Sequence, residues 1–226
     1  MELISLLNCD FYRFESEYLG TNMYLSCSDG EALIVDPHFD EEADRILSKN
    51  AVRKVTVFLT HEHPDHTCGL PWLKDHFKTQ IVCQKRCADT IAVEKNNRPY
   101  LMTFVLAQRD KENGTNLLEK FEKTVRPYAY TADVTFEEDM SFLWHDVSFY
   151  FKHSLGHSKG SSCITINDDA VFTGDNMIFD TPVITRFPGG NKKEYDTLTM
   201  PYLNSFPDET IVLAGHGKTF KMKEVR

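Results

Sequence analysis

The sequence predicts an α+β protein in which β-sheets carry helices on their outer faces. Three observations lead there. Short apolar, β-branched runs gather toward both ends of the chain, turn residues join several of them as hairpins, and segments with helical spacing fall between them. The chain has 226 residues, 41% hydrophobic and 26% charged, which is long enough to bury a core without disulfides.

Glu2–Asn8 and Asn22–Ser28 read as strands. Asp29–Gly30 is a hairpin signal, and Glu31–Asp36 is the return strand, stopped by Pro37. Glu41–Lys49 sets Ala43, Ile46 and Leu47 on one helical side. Val52–Leu59 is a β-branched strand that runs straight into Thr60–His61–Glu62–His63–Pro64–Asp65–His66. Leu70–Phe77 reads as helix, Gln80–Cys83 as strand and Lys85–Glu94 as helix. Residues 95–133 are broken at Asn96–Pro99 and Glu112–Gly114, with helical spacing over Leu101–Ala107 and Leu117–Val125. They form a partly helical insert whose Tyr100, Phe104, Tyr128 and Tyr130 either wall a pocket or pack internally. Strands resume at Val134–Phe136, Ser141–Trp144, Val147–Lys152, Ser162–Asn167 and, after a turn at Asp168–Asp169, Ala170–Thr173. Phe187–Gly190 is a loop, Lys192–Leu203 a helix, and Thr210–Ala214 a last strand leading into Gly215–His216–Gly217.

Lys and Arg number 25 against 34 Asp and Glu, a formal net charge of −9. Phosphate binding needs a basic face, so the charge argues against nucleic acid as a primary partner and against docking on an anionic membrane surface. No apolar run reaches the roughly 18 residues of a bilayer span. Met1–Asn8 lacks the basic start of a signal peptide, so a cytoplasmic location is expected. The six cysteines form no CxxC pair and read as reduced thiols.

Where the nine histidines fall decides the chemistry. His61-x-His63-x-Asp65-His66 sets four ligand-type side chains just beyond a strand. Imidazole suits zinc, iron and similar cations, and a carboxylate adds a hard oxygen. An extended loop sends His61 and His63 to one side, leaving Asp65 and His66 to face a second position. One metal needs at least three protein ligands, so this loop half-builds two sites. The remainder is available at other strand ends: His157 in Gly156–His157–Ser158, Asp175 in Thr173–Gly174–Asp175, and His216 in Gly215–His216–Gly217. A glycine before each ligand permits close approach of the backbone.

This order of HxHxDH, a lone His, Gly-Asp and a final Gly-His resembles the metallo-β-lactamase-fold hydrolases. The closer likeness is to small glyoxalase II-like members without a separate helical C-terminal domain. It runs from Asn22 to His216 and is weakest over residues 95–133. The resemblance implies an αββα four-layer sandwich, one domain over residues 1–226 with an insert at about 95–133. It also implies two divalent cations, zinc by default, with iron or manganese as alternatives. His61, His63 and His157 would hold the first, Asp65, His66 and His216 the second, and Asp175 would bridge them. Two cations sharing a water pull its pKa toward neutrality, and the resulting hydroxide attacks a carbonyl or phosphorus centre, with Asp65 orienting it or moving its proton.

The substrate side departs from that family pattern. Asp36–Pro37–His38 stands where Asp-Pro-Gly is usual; Asp36 is expected to orient a ligand histidine, and His38 to lie exposed on its loop or reach the pocket. Lys159 replaces a common proline and is read as a solvated lysine or a contact for a substrate carboxylate. Val183–Ile184–Thr185–Arg186 replaces the usual Gly-Arg-Thr-Asp, which weighs against sulfur-dioxygenase relatives. Arg186 then either binds an anionic substrate or makes a surface ion pair. Cys68, Cys83 and Cys87 read as packed thiols, the last two on one helix, and Trp72 and Trp144 as core residues. His76, His145 and His153 read as structural or surface histidines. The expected activity is hydrolysis of a small thioester or ester-like molecule. A lactonase, a phosphodiester hydrolase, or a mononuclear iron sulfur-oxidising enzyme at His61, His63 and His157 are the alternatives.

Overall fold

The computed structural model describes residues 1–167 and 169–226, with Leu101 given by its backbone alone. The turn expected at Asp168–Asp169 thus falls partly outside the described residues. Strands β1 (Glu2–Ser5), β2 (Asp10–Glu15), β3 (Asn22–Ser28), β4 (Glu31–Val35), β5 (Lys54–Phe58), β6 (Lys78–Gln84) and β7 (Val134–Phe136) form one sheet in that order. The first four pair antiparallel as a meander, and β4 to β7 run parallel. The parallel crossovers carry α1 (Glu41–Lys49), α2 (Pro64–Thr67), α3 (Leu70–His76) and α4 (Lys85–Ile91), and the last also carries α5 (Thr103–Asn113) and α6 (Leu117–Thr124). A second sheet has the order β13-β12-β11-β10-β9-β8, from β8 (Asp139–Trp144), β9 (Val147–His153), β10 (Ser162–Ile166), β11 (Ala170–Gly174), β12 (Ile211–Ala214) and β13 (Phe220–Lys221). Between β11 and β12 lie α7 (Lys192–Glu194), a π-helical turn at Tyr195–Thr199, and α8 (Met200–Asn204).

Three apolar layers hold this together. Ala43, Leu47, Leu73, Cys87 and Ile91 from the helices meet Ile34, Val55, Val57 and Ile81 on one face of the first sheet. Between the sheets, Phe11, Tyr24, Leu33 and Val82 face Phe149, Ile164 and Phe172. Phe58 there meets Phe142, Phe149 and Phe151 edge-on at 4.8–5.3 Å, each pair adding about 0.5–1.5 kcal/mol beyond burial. Leu203 packs on Cys163, Val171 and Val212 on the far face of the second sheet. The result is the helix–sheet–sheet–helix sandwich expected. Because β3, β4 and β5 are buried on both faces over most of their length, they lack the apolar–polar alternation of a one-sided strand.

Local differences from the sequence reading have simple causes. Strand β2 was not foreseen: its Phe11 faces the sheet–sheet layer and its Phe14 the helix layer, so no one-sided alternation shows. Cys83 lies on β6 and Cys87 on α4, not on one helix. The helix expected at Lys192–Leu203 is broken by the π turn. Among the described residues no helix is long and apolar enough to cross a membrane.

Strand direction positions the site. β4 and β5 are parallel, as are β11 and β12, and β9 points the same way as β11 through two antiparallel steps. Cross-sheet backbone bonds from Ser162 N to the Thr60 carbonyl (2.8 Å) and from Asn22 N to the Gly215 carbonyl (2.7 Å) draw the strand ends together.

Candidate metal centre

Past the end of β5 the chain bends at Thr60 and runs to an extended His63, until Pro64 opens α2, a position where its missing N–H costs nothing. Extended alternation turns His61 and His63 the same way, while Asp65 and His66 occupy the first turn of α2. His157, Asp175 and His216 follow β9, β11 and β12. Gly215 must lack a side chain: a Cβ there would lie 2.4 Å from Asp175 Oδ1 and 2.8 Å from His66 Cε1.

All seven side chains converge. His63 Nδ1 lies 3.0 Å from His61 Nε2 and 3.0 Å from His157 Nε2. Tetrahedral ligation by nitrogens at about 2.1 Å implies separations of about 3.4 Å, so the three suit one cation. Asp65, His66 and His216 form a second group that can hold a metal, with Asp65 Oδ2 3.5 Å from His66 Nε2 and 3.4 Å from His216 Nε2. Asp175 stands between the groups: Oδ2 is 3.6 Å from His157 Nε2 and 3.5 Å from His216 Nε2, and Oδ1 is 3.4 Å from His66 Nε2. His66 Nε2 and Asp175 Oδ1 are buried and have no hydrogen-bond partner among the described residues. Buried polar atoms normally have one, and a cation between them would satisfy both.

The imidazoles are wired from behind. Asp36 adopts φ +53°, a left-handed conformation that Asp tolerates, and its carboxylate accepts from Thr60 N (2.8 Å), Thr60 Oγ1 (2.6 Å) and His66 Nδ1 (2.9 Å). Since the Thr60 hydroxyl donates to Asp36, it accepts from His61 Nδ1 at 3.1 Å. His157 Nδ1 donates to the Ile184 carbonyl at 2.9 Å. In each ring the other nitrogen faces the cluster, the arrangement that fixes the tautomer of a neutral ligand imidazole.

Electrostatics separates the two groups. Burial, reinforced by neighbouring imidazoles, pushes His61 well below the ordinary histidine value, and burial takes His157 down to about 4. These are neutral, ready ligands. Burial also opposes charge on His66 and His216, but the carboxylates around them prevail and raise them to about 9 and about 11. Burial pushes Asp65 and Asp175 up, yet the adjacent histidines more than reverse this, holding Asp65 well below the carboxylate range and Asp175 at about 2.

The other expected residues divide. Asp36 orients His66 directly and His61 through Thr60. Lys159 and Arg186 are exposed and make no ion pair among the described residues. His38 is neither exposed nor in the ligand cluster: it is 2% exposed, with ring nitrogens 3.3 Å from the Phe14 and Phe39 carbonyls. Gly69 packs against the Pro37–His38 backbone, and the ring is turned toward those two carbonyls. His38 lines a cavity of about 930 Å³ between α1, α3 and α6 that contains none of the seven candidate ligands. Residues absent from the sequence reading are Thr21, whose Oγ1 donates to Asp65 Oδ2 at 2.9 Å, and Phe187, 41% exposed with its ring 5.9 Å from that of His63. Glu62 was missed too, although strand alternation between His61 and His63 already turns it away from the cluster and into the protein.

Residues 17–216 match the family model of the metallo-beta-lactamase superfamily. The chain is 26% identical over 198 residues to a probable metallo-hydrolase, YqgX, of Bacillus subtilis, covering 87% of this chain and 84% of that one. It is 22% identical over 206 residues to a hydroxyacylglutathione hydrolase of Klebsiella pneumoniae, covering 91% of this chain and 64% of that protein. Among solved structures, TTHA1623 in a di-iron-bound form superposes with a TM-score of 0.70 at 19% identity, over 94% of this chain and 96% of that one.

Proposed function

Because this chain belongs to the metallo-beta-lactamase superfamily, we propose that it is a binuclear metallo-hydrolase that cleaves a small thioester or ester-like substrate, in the manner of glyoxalase II. The observation that carries this reading is Asp175, whose carboxylate lies within 3.6 Å of ligand nitrogens from both metal-holding groups. His61, His63 and His157 would hold one cation, Asp65, His66 and His216 the other, and Asp175 would touch both. Zinc suits the nitrogen-rich set, and iron is the alternative that the di-iron TTHA1623 brings forward. Bound cations supply Lewis acidity and lower the pKa of water.

The chain's own groups do the rest. Asp65, kept ionised by His66 and His216, accepts a hydrogen bond from the attacking water at a carboxylate oxygen and so orients it. The Thr21 hydroxyl fixes which way that carboxylate faces. Phe187 walls the His63–His157 side with an apolar ring and limits water there. Arg186 and Lys159, both exposed, would meet an anionic part of the substrate. Thioester leads because of the likeness to a hydroxyacylglutathione hydrolase. The net charge of −9 supports a small-molecule partner over nucleic acid or an anionic membrane, and six free cysteines suit a cytoplasmic setting.

Metal analysis of the purified protein with a panel of an S-acyl glutathione, a lactone and a phosphodiester tests the proposal. Two metal equivalents and preferential thioester turnover are expected. One iron per chain with oxygen uptake would overturn it, and two metals with lactone or phosphodiester preferred would reject the thioester assignment.

A further inference from the structure

We propose that Glu62 is a positioning residue that locks the loop carrying His157 against the loop carrying His61 and His63, and so sets the spacing of the three-histidine site. This rests on the reading that those three histidines hold a metal. Glu62 sits between two of them, but alternation sends its side chain inward, where it is 8% exposed. No Lys, Arg or His forms an ion pair with it among the described residues. A buried carboxylate without a cation must be compensated by hydrogen bonds. Those bonds all come from the other loop: Ser158 Oγ donates to Oε2 at 2.9 Å, and Gly160 N donates at 3.1 Å to Oε2 and 3.3 Å to Oε1.

Both donors flank the ligand they would fix. Ser158 follows His157 directly, and the Ser161 hydroxyl meets Ser158 Oγ at 2.8 Å and Ser158 N at 3.1 Å, bracing the same turn. A Cβ on Gly160 would lie 2.5 Å from Glu62 Oε2 and 2.4 Å from Cys87 N, so only glycine lets the backbone come this close. The loop is therefore clamped on two sides, at His157 Nδ1 by the Ile184 carbonyl and at Ser158–Gly160 by Glu62. The two ligand loops stand 96 positions apart in the chain, and this carboxylate ties them at the ligands, one step in from the bonds of Ser162 N and Oγ to the Thr60 carbonyl.

The test titrates metal-free protein with Zn2+ against a chelating indicator, with His157→Ala and His216→Ala as references that identify each site. Circular dichroism of the metal-free variants checks their fold. Glu62→Ala should weaken the three-histidine site about 10–100-fold, as loss of a ligand-orienting group does, and move the other site by less than about threefold. Glu62→Gln, which keeps the shape and can still accept from Gly160 N, should recover most of the affinity. Ser158→Ala should shift the same site in the same direction, and the double variant Glu62→Ala/Ser158→Ala should be no worse than Glu62→Ala, since the two act through one contact. Should Glu62→Ala fail to fold, Ser158→Ala carries the test from the other loop. Equal weakening of both sites, a Gln variant as impaired as Ala, or unchanged zinc binding where His157→Ala abolishes the site would each overturn the proposal. Absence of zinc uptake by the unaltered protein would instead remove the metal reading beneath it.

Discussion

Asp175 lies between both candidate ligand groups, with one oxygen facing His66 and the other shared between His157 and His216. Asp175→Asn preserves shape but removes the charge and turns one acceptor into a donor. Metal content at both sites should fall together, and activity should drop about 100-fold or more; full metal content and full activity in the variant would reject the bridging role. Arg186 makes no ion pair among the described residues. Arg186→Ala should raise KM about tenfold for an anionic substrate, the worth of one charge-assisted hydrogen bond, and leave neutral esters unchanged. Equal effects on both substrates, measured by steady-state kinetics, would place Arg186 outside the pocket. At this scale the seven candidate ligands were legible because metal chemistry demands particular side chains at strand ends. Glu62 and Thr21 were not, since an acceptor or a hydroxyl has no such signature until its partner in another loop is known. His38 was misread because nothing local reveals that its ring turns inward to the Phe14 carbonyl of β2, 24 positions away.

The insert shows how an element far from the ligands bears on them. Met102, just before α5, packs with Leu106 of α5 and Phe121 of α6 onto Tyr18 and Leu19, with the Tyr18 and Phe121 rings edge-on at 5.0 Å. That segment leads directly to Thr21, whose hydroxyl holds Asp65. The helical spacing of Leu117, Leu118 and Phe121 made the insert's second helix readable, but what its apolar face covers was a long-range matter. Phe121→Ala should destabilise the protein by about 3–5 kcal/mol, the usual cost of emptying a buried aromatic site, detectable as a lowered denaturation midpoint with an unchanged slope. A loss below about 1 kcal/mol would mean that the insert is not integral to the folded unit. The same contrast separates the strands. Those covered on both faces announced themselves as apolar runs, whereas β2, with Phe11 and Phe14 in different layers, did not. The π turn at Tyr195–Thr199 was hidden as well, because it answers to tertiary partners: Tyr195 Oη donates to the Asn176 carbonyl at 2.9 Å, and Thr199 Oγ1 to the Leu155 carbonyl at 2.5 Å.

For the whole molecule, the charges at the two ligand groups make stability depend on pH in a way that metal should reverse. His66 and His216 are raised to about 9 and about 11 in the folded, metal-free protein, the carboxylates outweighing burial, against about 6.5 when unfolded. Their stabilising contribution is complete below about pH 6.5 and is lost as pH rises, because the unfolded chain releases protons that the folded protein keeps. Each is worth on the order of 1 kcal/mol per pH unit over that window. His61 and His157 act oppositely: burial keeps them neutral, so they weaken the fold as pH falls below about 6.5. Asp65 and Asp175, both depressed, contribute above about pH 4 and lose that contribution only in strong acid. The metal-free protein should therefore be most stable near neutrality and melt several degrees lower at pH 8.5 than at pH 7. Divalent cations take the places of those protons, so loading should release protons and become more favourable as pH rises. Melting curves in chelator and in stoichiometric Zn2+ at pH 6, 7 and 8.5 test this. The gap between the two forms should widen with pH, and a metal-free protein that gains stability from pH 7 to 8.5 would show that the paired histidines and carboxylates do not hold their protons in common.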